Sequence, residues 1–114
     1  MNSLLSLSAL CIALFSSGVY ASERAEIGWE LIEKGALVVD VRTPAEFEQG
    51  HLDNAINYPL SEVATHFAKI DKDQPIVLYC RSGNRSGQAY QFLRAQGFTQ
   101  IHNAGGLIEM QENQ

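Results

Sequence analysis

The residues best suited to chemistry stand together at Cys80-Arg81-Ser82-Gly83-Asn84-Arg85-Ser86. A thiol reacts as its thiolate, and an unperturbed cysteine has a pKa near ~8.5. The apolar run Ile76-Val77-Leu78-Tyr79 leads into the cysteine, and a helical segment follows over residues 88–96. The loop therefore lies between a strand end and a helix N-terminus near Ser86, whose unpaired N–H groups favour negative charge. Arg81 and Arg85 stay charged at any relevant pH. Gly83 lets the backbone turn freely, and Asn84 tolerates the left-handed region. Ser82 and Ser86 add hydroxyl donors. A tight turn of this kind can aim successive N–H groups at one centre, forming an anion nest. The pattern predicts a thiol of lowered pKa beside an anion site.

The overall charge isolates this feature. The chain carries a formal charge of −5 and no basic stripe, which argues against nucleic acid or an anionic membrane as partner. Arg81 and Arg85 sit in a stretch with no acidic residue between Asp73 and Glu109. A local anion site within an acidic protein follows.

The first 21 residues read as a cleavable leader. Leu4 to Phe15 form an apolar core, Ser16-Ser17-Gly18 break it, and Val19-Tyr20-Ala21 offers a small-residue cleavage site. The apolar run is shorter than the roughly 20 residues that span a bilayer. No Lys or Arg precedes it, so a retained interfacial or membrane anchor is the alternative reading. Leu10 before Cys11 speaks against a lipid-anchored cysteine. Cleavage after Ala21 leaves residues 22–114 as one small domain, free of the membrane, with Cys80 its only cysteine. Exported proteins normally pair their thiols, so an odd one is read as reactive.

The elements that must position the loop alternate in type. A helix over residues 23–34 places Ile27, Leu31 and Ile32 at helical spacing and stops at Gly35. Leu37-Val38-Val39-Asp40-Val41 reads as a strand covered on both faces. Thr43-Pro44-Ala45-Glu46 announces a helix with a capping box, ending near Gly50. Residues 55–58 read as a short strand, and Ser61 as the cap of a helix burying Val63, Phe67 and Ile70. After a turn at 71–75 come the strand 76–79, the loop, and a helix facing Ala89, Phe92 and Leu93 inward. A last strand over 99–103 and Ala104-Gly105-Gly106 precede a short C-terminal segment. Alternation of this kind predicts an α/β fold, a mainly parallel sheet with helices on both faces. Ligands in such sheets bind at the carboxyl ends of strands, where Cys80 falls.

The seven-residue loop resembles the active-site loop of the rhodanese-homology sulfurtransferases. The upstream block Asp40-Val41-Arg42, Pro44, Glu46-Phe47, Gly50-His51-Leu52, Ala55, Asn57 and Pro59 is similar to that family's other signature. With a leader ahead of one small domain, the chain looks like the family's periplasmic, phage-shock-type single-domain members. The resemblance implies a rhodanese-like fold and location in the periplasm. It also implies a two-step transfer in which Cys80 takes sulfur from thiosulfate or a persulfide and passes it to cyanide or a thiol. Arg81, Ser82, Gly83, Asn84, Arg85 and Ser86 would bind the small anionic donor, and no cofactor or metal is called for. A sulfur carrier serving a protein partner is the first alternative. A phosphatase or arsenate reductase is the second, but those relatives carry five residues between Cys and Arg. Only Arg81 to Asn84 separate Cys80 from Arg85, a smaller loop that suits sulfur.

Residues outside the loop read as support. Asp40 and Arg42 order the strand-to-helix turn, with Arg42 also available at the rim for anions. His51 reads as a structural histidine bonding the backbone near the strand ends. His66 and His102 lack metal-type spacing, and Trp29 is a core or edge aromatic.

Overall fold

In the computed structural model, which describes residues 21–114, the β-branched run 37–41 and the apolar run 76–79 become the two central strands of a parallel sheet. The order along the chain is α1 (Glu23–Glu33), β1 (Leu37–Asp40), α2 (Pro44–Gln49) and β2 (Ile56–Asn57). A 3-10 turn (Leu60–Glu62) then leads into α3 (Val63–Phe67), β3 (Ile76–Cys80), α4 (Asn84–Ala95), β4 (Ile101–Gly106) and α5 (Leu107–Glu112). All strand pairs are parallel, in the order β2-β1-β3-β4. The leader and Cys11 lie outside the described residues. No helix among those described is long and apolar enough to cross a membrane.

Strand alternation divides the core into two layers. Val39, Ile76, Leu78 and Cys80 point to the face covered by Val63 and Phe67 of α3 and Ala89 and Leu93 of α4. Val38, Val77 and Tyr79 point to the opposite face, against Ala25 of α1 and Met110 of α5. Both faces of β1 and β3 are thus covered, as their continuous apolar sequences require.

Several local expectations shift. The buried positions of α1 are Ala25 and Gly28, while Ile27 is 38 % exposed. A Cβ at Gly28 would stand 2.8 Å from the Ala104 Cβ, so small residues bring this helix close to the sheet. Phe92 is likewise exposed: the buried stripe of α4 runs through Ser86, Ala89 and Leu93, leaving Phe92 on its flank. Ser61 caps nothing, because Pro59 opens a 3-10 turn and the Val63 N–H goes to the Leu60 carbonyl. Val63 and Phe67 of α3 are buried as expected, and Ile70 packs at the edge of that core beyond the helix end.

Near Cys80, β4 runs three residues further than expected. The register slips from Leu78 beside Asn103 to Cys80 beside Gly106, an irregularity that takes up an extra residue on β4. Gly105 has φ of 102°, and a Cβ on Gly106 would collide with the Arg81 carbonyl. The glycine pair lets the last strand approach the backbone of the cysteine loop.

Candidate active site

Cys80 ends β3, on the α4 side of the sheet, and is buried and free. The chain then turns through Arg81 and Ser82 into Gly83, whose φ of 97° is left-handed and which serves as the N-cap of α4. The helix therefore starts at Asn84, earlier than its apolar pattern indicates, and its first turn holds Arg85 and Ser86. The Gly83 N–H donates to Cys80 Sγ at 3.0 Å, and Ser86 Oγ lies 3.3 Å from the same sulfur. Burial is the largest influence on the thiol and pushes its pKa up. The Ser86 hydroxyl and the N–H groups of Ser86, Ser82 and Gly83 together outweigh it, so the pKa lies below the usual value. Donors aimed at the charged form are the cause.

Asn103 of β4, which carried no signal of its own in the sequence, governs the Ser86 hydroxyl. Its amide is oriented by two backbone contacts: Nδ2 donates to the Gly83 carbonyl at 3.1 Å, and Oδ1 accepts the Gly105 N–H at 3.1 Å. Oδ1 consequently faces Ser86 Oγ at 2.7 Å. The single hydroxyl proton has two acceptors, Asn103 Oδ1 and Cys80 Sγ, and ionising the thiol draws it toward sulfur.

The two loop arginines are placed differently. Arg85 is closed on the Glu46 carboxylate, with Nη1–Oε1 2.8 Å and Nη2–Oε2 3.0 Å. Glu46 is at once the N3 residue of the α2 capping box, and its pairing with Arg85 holds its carboxyl at about 2. Arg81 is exposed, forms no ion pair among the described residues, and lines an open cavity of about 440 Å³. Arg42, Glu46, Gln49, Leu107 and Ile108 complete that lining. Ser82 and Asn84 are exposed, and Asn84 Oδ1 accepts from Gln88 Nε2.

Asp40 and Arg42 are both buried and form an ion pair at 2.7 Å. Asp40 also accepts the Arg42 N–H, and Arg42 Nη2 donates to the Gly50 carbonyl, so the pair fixes the turn from β1 to α2. Arg42 reaches the cavity rim as well. His51 stands apart from the loop: Nδ1 is 2.8 Å from the Phe47 carbonyl, and the ring stacks on Phe47. Trp29 donates to the Met110 carbonyl and joins α1 to α5. Among the described residues, no cluster of His, Cys, Asp and Glu could hold a metal ion.

One further residue that the sequence did not mark touches the loop, and a second holds it there. Arg24 of α1 donates to the Ser82 carbonyl at 3.2 Å and is paired with Glu109 of α5. Glu109 is held at about 2, with the Arg24 guanidinium as the main cause.

A cysteine at a parallel-strand end, enclosed by backbone donors at a helix N-terminus, defines a class of α/β domain built to stabilise a thiolate. The particular family is settled by comparison. The Rhodanese-like domain profile matches residues 25–112, and the chain belongs to that family. It is 40 % identical over 104 residues to the thiosulfate sulfurtransferase PspE of Escherichia coli, covering 89 % of this chain and 88 % of the relative. A sulfurtransferase of Allochromatium vinosum is 44 % identical over 73 residues, covering 63 % of this chain and 68 % of the relative. Among solved structures, a rhodanese with anions from E. coli aligns at 40 % identity and TM-score 0.61, over 66 % of this chain and 91 % of that one. A rhodanese-related protein from Thermoplasma volcanium aligns at 34 % identity and TM-score 0.69, over 82 % and 92 %.

Proposed function

We propose that the protein is a sulfurtransferase that carries sulfane sulfur from thiosulfate or a persulfide as a Cys80 persulfide. The observation that carries this reading is the ring of donors on Cys80 Sγ, from Gly83, Ser82 and Ser86. The Cys80 thiolate attacks the outer sulfur of thiosulfate, the S–S bond breaks, and sulfite leaves with the bonding pair. Cyanide or a thiolate then attacks the outer sulfur of the Cys80 persulfide, freeing the thiolate once more. Each step displaces a stable anion, giving covalent catalysis with ping-pong kinetics. The donors that lower the thiol pKa also stabilise the terminal persulfide sulfur.

Cys80 is 1 % exposed, which favours attack on a terminal sulfur over the central atom of a tetrahedral phosphoryl group. Arg85 is committed to Glu46, whereas Arg81 faces the open cavity, so Arg81 is the cation that receives the incoming anion. Arg85 holds α4 to α2, Asp40 and Arg42 brace the turn beside it, and His51 supports the α2 end. The named sulfurtransferases among the relatives support the same chemistry. The leader fits export, cleavage after Ala21 and a periplasmic location for the domain 22–114. The test is thiocyanate formation from thiosulfate and cyanide by the wild type, with Cys80→Ser as control. A one-sulfur mass gain on Cys80 without thiocyanate indicates a carrier instead.

A further inference from the structure

Arg24 stands in the first turn of α1, 58 positions before Ser82, yet its Nη2 donates to the Ser82 carbonyl at 3.2 Å. Glu109 grips the same guanidinium, Nε–Oε2 at 2.8 Å and Nη2–Oε1 at 2.9 Å. The Glu109 carboxylate also accepts the Ser22 hydroxyl and the Gly106 N–H. From the sheet, His102 Nε2 of β4 lies 2.7 Å from the Arg24 carbonyl. The fit against the loop is close: a Cβ on Gly83 would stand 2.8 Å from Arg24 Nη2 and 2.9 Å from Nη1. Gly83 is the residue whose N–H donates to Cys80 Sγ. Arg24 thus packs on one side of the turn whose other side holds the sulfur.

An exposed ion pair on its own contributes little to stability. The third contact of this one makes the difference, because it ends on the loop backbone. We propose that Arg24, locked by Glu109, is a positioning residue for sulfur transfer that pins the Ser82–Gly83 turn so its N–H groups stay aimed at Cys80. The inference rests on the sulfurtransferase reading and deepens it. The other charged or titratable groups around the loop are Arg81, the Arg85–Glu46 pair from α4 and α2, the Asp40–Arg42 pair at the end of β1, and His102 of β4. Among the described residues, Arg24 is the charged side chain that donates to the backbone of Ser82. Its charge also bears on Cys80, and the thiolate in turn favours the guanidinium.

Alkylation of Cys80 as a function of pH reads the claim directly, in the wild type, Arg24→Gln and Arg24→Lys. In Arg24→Gln the midpoint of alkylation rises by about half a unit or more, as expected when donors to a thiolate lose their aim. Its kcat/KM for thiosulfate at neutral pH falls about tenfold, the scale of a slightly misplaced reacting group. Arg24→Lys keeps the charge without the fork, so it recovers most of the midpoint and only part of the rate. A strap of purely structural kind would lower the melting temperature and leave the midpoint unchanged, and that result overturns the proposal. Should Arg24→Gln fail to fold, Arg24→Lys decides: a folded variant with kcat/KM within twofold of wild type contradicts it, and a larger loss supports it. If the wild type makes no thiocyanate, the enzyme reading fails while the alkylation midpoint still judges Arg24.

Discussion

Arg85 meets Glu46 fork to fork, at 2.8 and 3.0 Å, across 39 positions of sequence. Glu46 is also the N3 residue of the capping box of α2, so one carboxylate caps the start of one helix and holds the first turn of another. This relationship divides the two loop arginines. Arg81→Ala should raise KM for thiosulfate several-fold and leave the melting temperature within a degree or two. Arg85→Ala should lower stability by about 1 kcal/mol, the upper range for a partly exposed bidentate pair. That corresponds to roughly 4–8 °C in a domain of this size. Steady-state kinetics and thermal melts on both variants check the division.

Acid should loosen the same braces. Glu46 and Glu109 both lie at about 2 in the folded protein, below the ordinary 4.5. Groups with a depressed folded pKa stabilise the fold above the unfolded pKa, and that contribution is lost as pH falls through the folded value. Stability should therefore decline between about pH 4.5 and 2. Glu46→Gln should flatten part of that decline, as followed by urea unfolding against pH.

The hydroxyl shared between Cys80 and Asn103 predicts a separable effect on thiol ionisation. Ser86→Ala removes a donor at 3.3 Å from Sγ. The alkylation midpoint of Cys80 should rise, and sulfur transfer at neutral pH should fall, with recovery as pH is raised past the new midpoint. The Gly83 N–H remains, so activity should not vanish.

Close approach of β4 to the loop makes Gly106 sensitive. Gly106→Ala puts a Cβ into the Arg81 carbonyl, a backbone atom with nowhere to go. A loss of about 1–3 kcal/mol is expected from such overpacking. Transfer activity should fall more steeply than stability, because the displaced residue adjoins Cys80. Comparing melting temperature with kcat/KM tests that order.

The sheet and the cysteine loop were legible because their signals are local. Leu37-Val38-Val39 and Ile76–Cys80 are continuous apolar runs, and Thr43-Pro44-Ala45-Glu46 spells a capping box that the fold contains. The start of α4 was less legible because a left-handed Gly83 serves as its N-cap without a side-chain hydrogen bond. Ile27 and Phe92 carried the right residue type but stand outside the buried stripes of their helices. The rest of the site depends on tertiary neighbours. Arg24 meets Glu109 from 85 positions away, and Asn103 meets Ser86 from 17. No spacing rule links such pairs. The lack of acidic residues between Asp73 and Glu109 left the partners of Arg85 to be found elsewhere in the chain.

The central claim is that sulfur passes through Cys80. Intact mass of the wild-type protein after exposure to thiosulfate should show a gain of one sulfur located on Cys80. Cyanide should remove that sulfur as thiocyanate, and Cys80→Ser should neither gain the mass nor form the product. Thiocyanate formed at the wild-type rate by Cys80→Ser would contradict the account.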